Sequence, residues 1–279
     1  MMEQIKFLQK TAHEIRLLGL EMAMNAGSGH LGGAYSLSEI LSVLYFDVMN
    51  IDTENPRWED RDRLVMSKGH ASVALYPTLA KRGFFDVKRL DEFRKIDGEL
   101  SGHIEKSVPG VDVSTGSLGQ GFSVGVGIAL AGKIDHKDYY TYVICGDGEL
   151  QEGQIWEAAT FAPNHNLSNL ILIVDNNLLQ LDGPCVEIAC LRDIGQKFEA
   201  FGWNVINVED GHNIELLQDA FSKAKQSTTL PTVIVANTVK GKGVSFMENN
   251  YLYHGKLPDH DDYIQAKNEI IELINSIEL

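Results

Sequence analysis

The chain is short of cysteine, of basic residues and of long apolar runs, and each shortage removes a class of function. Three cysteines in 279 residues, Cys145, Cys185 and Cys190, are an odd set without metal-type spacing. They argue against a disulfide framework and against a cysteine-built zinc site. Lysine and arginine number 24 against 39 aspartates and glutamates, a net charge of −15. That balance argues against nucleic acid or an anionic membrane surface as a general partner. No apolar run reaches about 18 residues, so no membrane span is expected. Met1 to Lys10 carry no signal-peptide core. A reduced, cytoplasmic protein is the reading these absences leave. Internal repeats and low-complexity linkers are missing too. Hydrophobic content of 44% and charged content of 23% are ordinary for a globular chain, long enough for one large or two small domains.

What is present is a glycine-flanked aspartate with an asparagine thirty residues later. Gly146-Asp147-Gly148-Glu149 follows the apolar run Tyr142-Val143-Ile144, and Asp175-Asn176-Asn177 follows Leu170-Ile171-Leu172-Ile173-Val174. Between them Gln154 to Pro163 reads as a helix. This is one βαβ unit, and a right-handed crossover puts both strand exits on the same edge of a parallel sheet. A carboxylate and an amide there suit Mg²⁺ or Ca²⁺, with substrate phosphates completing the shell. The glycines let a diphosphate approach the backbone, and the following helix offers its N-terminal amides.

Alternating strands and helices along the rest of the chain predict an α/β fold, a doubly wound, mostly parallel sheet flanked by helices. Helical spacing covers 3–26, and Ser36-Leu37-Ser38-Glu39 reads as a capping box opening a helix through about Val48. A strand at 63–66 meets Ser67-Lys68-Gly69-His70, with a helix to Arg82. Residues 97–118 read as a long loop of the functional kind, and Gly119 to Lys133 as a helix. Helices near 192–201 and 213–225, strands at 203–208 and 232–237, and a last helix at 260–277 complete the pass. Gly119-Gln120-Gly121 has no strand before it and no matching acidic residue, so it is not a dinucleotide loop. His212 reads as a turn or cap residue, and Lys242 as solvated. His13, His136, His165 and His260 read as surface or satisfied side chains.

Several motifs, in order, resemble one family. They are Gly27-Ser28-Gly29-His30, Ser67-Lys68-Gly69-His70-Ala71, Gly102-His103, Thr115-Gly116-Ser117-Leu118-Gly119-Gln120-Gly121, Gly146-Asp147-Gly148-Glu149-Leu150-Gln151-Glu152-Gly153, Asn177, Lys240-Gly241-Lys242-Gly243 and His254-Gly255. The chain resembles the N-terminal, diphosphate-binding half of transketolase over nearly its whole length. The resemblance implies thiamine diphosphate and Mg²⁺ (or Ca²⁺) as cofactors. It implies a metal held by Asp147, Asn177 and the Leu179 carbonyl, and a diphosphate against His70, Gly148 and His254. It places the aminopyrimidine on the Gly116-Ser117-Leu118 backbone. Glu152 falls in the cofactor-binding set and, with Glu157, near a subunit interface. His30, His70, His103 and His254 are expected to form one cluster around the reacting carbon.

This chain departs from the family where Leu31 and Ser117 replace common prolines, and in ending at Leu279. The resemblance therefore implies that residues 1–279 form a single cofactor-binding domain. The pyrimidine-binding and C-terminal domains are expected on a partner chain, in an α₂β₂ assembly acting on sugar phosphates. The rival readings are the α chain of a 2-oxo acid dehydrogenase, a 1-deoxyxylulose-phosphate synthase relative and a non-catalytic cofactor-binding subunit.

Overall fold

The computed structural model describes residues 2–277. Its centre is a five-stranded sheet formed by β1 (Arg63–Met66), β2 (Thr141–Gly146), β3 (Leu170–Asn176), β6 (Asn204–Val208) and β7 (Thr232–Asn237), in the order β1-β2-β3-β7-β6. Every neighbouring pair is parallel, so the sheet is wholly rather than mostly parallel. A sheet covered on both faces needs apolar side chains at successive positions, and the central strands supply them. Tyr142, Ile144, Ile171, Ile173, Ile234 and Ala236 point into one core. Val143, Cys145, Leu172, Val174, Val233 and Val235 point into the other.

The first core is closed by α1 (Met2–Ala26), α3 (Ser38–Val43), α4 (Ser72–Arg82), α9 (Ile214–Ala224) and α10 (His260–Ser276). The second is closed by α5 (Gln120–Ile134), α6 (Gly153–Asn164) and α8 (Ile194–Ala200). This is the doubly wound arrangement that the alternation predicts. The shorter elements include α2 (Gly32–Tyr35), α7 (Cys185–Ile188) and a small hairpin of β4 (Leu179–Gln180) with β5 (Gly183–Pro184). The loop before α5 is held in place by Leu100, Ile104 and Val108, all buried.

Two local expectations need correction. Ser36 to Glu39 do not form a capping box. Leu37 occupies the cap position without a side-chain bond, and α3 passes into a π-turn at Leu44–Val48. The Ser36 hydroxyl instead donates to the Gly33 carbonyl and the Asp175 carboxylate, and Glu39 accepts from the fully buried Arg16. A buried guanidinium without a carboxylate costs more than a missing cap, so the tertiary pairing wins. His212 is likewise more than a turn residue. The Val239 amide donates to its Nε2 (2.8 Å), which leaves Nδ1 to carry the proton and donate to Glu39 (2.9 Å). Lys242 sits beside Glu248 and stays about one-third exposed, close to the solvated reading.

Candidate active site

Parallel sheets place ligands at the carboxyl ends of their strands, and four of these ends meet in one cleft of about 430 Å³. β1 leads into Lys68 and His70, β2 into Asp147, β3 into Asn177, and β7 into Lys240. His30, His103, Gly116, Leu118, Gly148, Glu152, Leu179 and His254 also line the cleft. The structure thus brings together all but one of the site residues named from the sequence. The exception is Ser117, which is exposed between Gly116 and Leu118 without lining the cleft.

The four histidines come from separate segments and cluster tightly. Ring centroids lie 5.3 Å apart for His30 and His70, 5.6 Å for His30 and His254, 5.3 Å for His70 and His254, and 6.5 Å for His30 and His103. Burial lowers three of them, with nearby cations adding to it. His30 falls to about 4, where Arg94 is the next contributor; His254 falls to about 3 beside Lys240; His70 falls to about 2 beside Lys68. These three rings are neutral near pH 7 and can each donate and accept a proton. Nδ1 of His30 and of His254 is buried without a hydrogen-bond partner among the described residues. Polar atoms left bare in a cleft call for a ligand.

This arrangement fixes a pH response. A histidine whose folded pKa is depressed binds fewer protons folded than unfolded, so stability is lost as pH falls below its ordinary value of about 6.5. Asp147, raised to about 6 by burial and then by Asp175, acts in the opposite sense, as do Glu149, Asp62 and Asp112, also raised by burial; His13, lowered to about 4 by burial, joins the three rings on the other side, and the imidazoles start from a higher ordinary value, so their loss covers more of the interval between pH 7 and 5. The cofactor-free chain should melt lower at pH 5 than at pH 7, by about 2–4 °C per kcal/mol lost. Thermal scans of His70→Asn should show a shallower fall; an unchanged slope would contradict this account.

Opposite the histidines is a set of hard oxygens. The Asp147 carboxylate, 5% exposed, accepts from the Gly148 amide (2.8 Å) and the Leu178 amide (2.5 Å). Asn177 Nδ2 donates to Asp175 Oδ2 (3.0 Å), which fixes the amide so that Oδ1 faces the other way, where it accepts from the Leu179 amide (3.2 Å). The Leu179 carbonyl accepts from Lys240 Nζ (3.1 Å). Carboxylate, amide oxygen and carbonyl make a donor set for a hard divalent cation. The raised Asp147 carboxyl marks a spot short of positive charge, which such a cation would supply.

Three residues that carry much of this architecture are absent from the sequence-derived set. Asp175 is fully buried and accepts from Lys68, Ser36, Asn177 and Thr238. Burial alone would raise its carboxyl, but Lys68 and the hydrogen bonds more than offset this and hold it low. Lys68 also donates to the Gly33 carbonyl (3.0 Å). Lys240 is 2% exposed and lowered to about 8 by burial and then by Lys68. A lysine separated by a single residue from the end of an apolar strand was the available signal for Lys68. In Lys240-Gly241-Lys242-Gly243, however, composition does not say which lysine turns inward.

The model of the family described as transketolase, thiamine diphosphate binding domain, matches residues 8–271. The chain is 46% identical over 262 residues to a 6-deoxy-6-sulfo-D-fructose transketolase subunit of Clostridium sp. (strain MSTE9), covering 94% of this chain and 93% of that one. It is 39% identical over 275 residues to an apulose-4-phosphate transketolase subunit of Phocaeicola vulgatus, covering 99% and 98%. Its fold superposes on the transketolase of Campylobacter jejuni with a TM-score of 0.90 at 35% identity, covering 98% of this chain but only 46% of that one.

Proposed function

The chain belongs to the transketolase family, over its thiamine diphosphate-binding domain, and on that premise we propose that it is the cofactor-binding subunit of a two-chain transketolase. It transfers a two-carbon ketol unit from a phosphorylated ketose to an aldose acceptor. Asp147, Asn177 and the Leu179 carbonyl would hold Mg²⁺. His70, His254 and Gly148 would face the diphosphate, and Gly116 and Leu118 the aminopyrimidine. Thiamine diphosphate, when bound, supplies the electron sink that lets a carbon–carbon bond beside a carbonyl break.

The protein's own part is proton handling. Breaking that bond takes a proton from the hydroxyl on the departing carbon, and the donor's carbonyl oxygen must gain one. Neutral imidazoles can do both near pH 7 without a change of partner. His103, exposed at the edge of the cluster, and His30, the ring that neighbours it, would meet the substrate oxygens. The observation that carries the reading is the four-histidine cluster standing over one hard-oxygen set in a single cleft.

Both relatives are transketolase subunits, which supports a second chain that completes the site. We place that chain in an α₂β₂ assembly, in the cytoplasm, where the three unpaired cysteines remain reduced. Among the described residues, no helix is long and apolar enough to cross a membrane. The test is ketol transfer from xylulose 5-phosphate to ribose 5-phosphate with thiamine diphosphate and Mg²⁺, for this chain alone and co-expressed with its partner. Activity in the pair alone is expected. Full activity of the single chain would remove the two-chain reading, and retention of cofactor with no transfer by the pair would remove the enzymatic one.

A further inference from the structure

A second cavity, of about 600 Å³, opens at the other end of the sheet. Arg63, at the amino end of β1 and paired with the first residue of β2, lines it, whereas the cleft lies beyond the carboxyl ends of the same strands. A strand of this length puts roughly 10 Å of sheet between the two, and they share no lining residue. Their charges are opposite. The cleft is lined by Lys68 and Lys240 against three carboxylates, Asp147, Glu149 and Glu152. The second cavity is lined by Arg57, Arg61, Arg63 and Lys106 against one, Asp112. The cleft needs a metal before it can hold an anion; this cavity does not. A solitary surface cation is ordinary, but four that converge around a single carboxylate, in a chain of net charge −15, make a local site for negative charge.

The floor is built in advance. The side chains of Arg61, Arg63 and Asp112 are only 12%, 16% and 9% exposed. Arg61 donates to the Pro56 carbonyl (2.7 Å), the Asp62 carbonyl (3.2 Å) and Asp112 Oδ1. Arg63 lies over the Tyr139 ring, 4.5 Å from its centroid, and donates to the Glu59 carbonyl (2.7 Å) and the Arg61 carbonyl. A guanidinium carries five N–H donors, so both keep some free. Asp112 spends its second oxygen on the Leu64 amide (3.0 Å) and stands 3.9 Å from Arg63 Nε, too far for a hydrogen bond. Burial, and then the Arg61 guanidinium, lower the Arg63 pKa, as expected where positive charge is in excess. The acids nearest in sequence are occupied elsewhere. Glu59 and Asp60 pair with Lys137, Glu105 accepts from Ser114, and Asp62 accepts from the Asn50 and Tyr140 amides. Arg57 and Lys106, both exposed, complete the rim.

We propose that this cavity is a binding site for a small phosphorylated metabolite, separate from the active site and independent of the ketol-transfer reading. Two forks held side by side match the oxygens of a phosphate, and a dianion offsets most of the excess of positive charge. The volume is that of a small-molecule pocket rather than of a bare ion, so the phosphate sits on Arg61 and Arg63 and the rest of the molecule fills the space under Arg57 and Lys106.

The test is calorimetric titration of the full chain, alone and in complex with its partner, with thiamine diphosphate and Mg²⁺ filling the cleft. Inorganic phosphate and glycerol 3-phosphate are the probes, at constant ionic strength. Glycerol 3-phosphate should bind at least as tightly as inorganic phosphate. Arg57→Ser/Lys106→Ser should weaken both by about tenfold or more, the loss expected from removing two charged contacts. Neither side chain is buried, so the double variant should melt as wild type does. Arg57→Lys/Lys106→Arg, which keeps both charges, should retain most of the affinity. Equal affinity in wild type and the serine variant would place the anion elsewhere and overturn the proposal, as would no binding of either probe. Binding of inorganic phosphate alone would overturn the metabolite assignment. Binding to the isolated chain but not to the complex would mean that the partner covers the cavity, and would overturn it too.

Discussion

Asp147→Ala should abolish metal-dependent retention of thiamine diphosphate, weakening it at least about 100-fold in the assembled enzyme. The substitution removes the only carboxylate of the oxygen set and leaves the Gly148 and Leu178 amides without their acceptor. Each stranded buried donor costs roughly 1–3 kcal/mol, so the alanine variant should also melt lower. Asp147→Asn separates the two effects. It keeps an oxygen for the amides and removes a charge that burial and Asp175 disfavour in the cofactor-free fold. Its cofactor-free melting temperature at pH 7 should equal or exceed that of wild type, while thiamine diphosphate and Mg²⁺ no longer raise it. Wild type should gain about 2.7 kcal/mol at a cofactor concentration 100 times the dissociation constant. Undiminished affinity in Asp147→Ala would remove Asp147 from the metal site.

The second large effect is on stability. Asp175→Ala should cost about 3–5 kcal/mol, because it strands the Lys68 ammonium in the interior. Both members of the pair are almost wholly buried, at 3% and 0% side-chain exposure, so solvent screens little of the loss. Lys68→Met on its own should be similarly damaging. The double variant Asp175→Ala/Lys68→Met should recover much of the loss, since exchanging both partners of a buried pair for apolar groups is often near neutral. Denaturant titration of the three variants forms a double-mutant cycle. Additive losses would mean that the pair is not coupled. Cofactor affinity should remain impaired in the double variant, because Asn177 has lost the acceptor that turns its amide.

Much of this was legible in the sequence. The Asp147–Asn177 spacing is a local property of one βαβ unit, and the parallel crossover fixes both exits to one edge. The element order followed from apolar runs that parallel strands cannot avoid. Glycine neighbours and the order of motifs singled out His30, His70, His103 and His254. Burial partners were not legible. Ser36 and Glu39 are spaced as a capping box, yet their acceptors and donors come from Asp175, Arg16 and His212, which only the tertiary fold brings near. Lys68 and Asp175 sat inside strand-exit motifs without any sign that they face each other.

The contacts that build the cleft join distant parts of the chain: Ser36 to Asp175 across 139 residues, Lys68 to Asp175 across 107, and Glu39 to His212 across 173. Closing such loops is entropically slow and brings little gain until several are closed together. The pocket is therefore among the last parts of the molecule to form during folding, after the local helices and the β2–β3 unit. Nascent chains still short of β7 and the segment carrying His254 have no complete pocket.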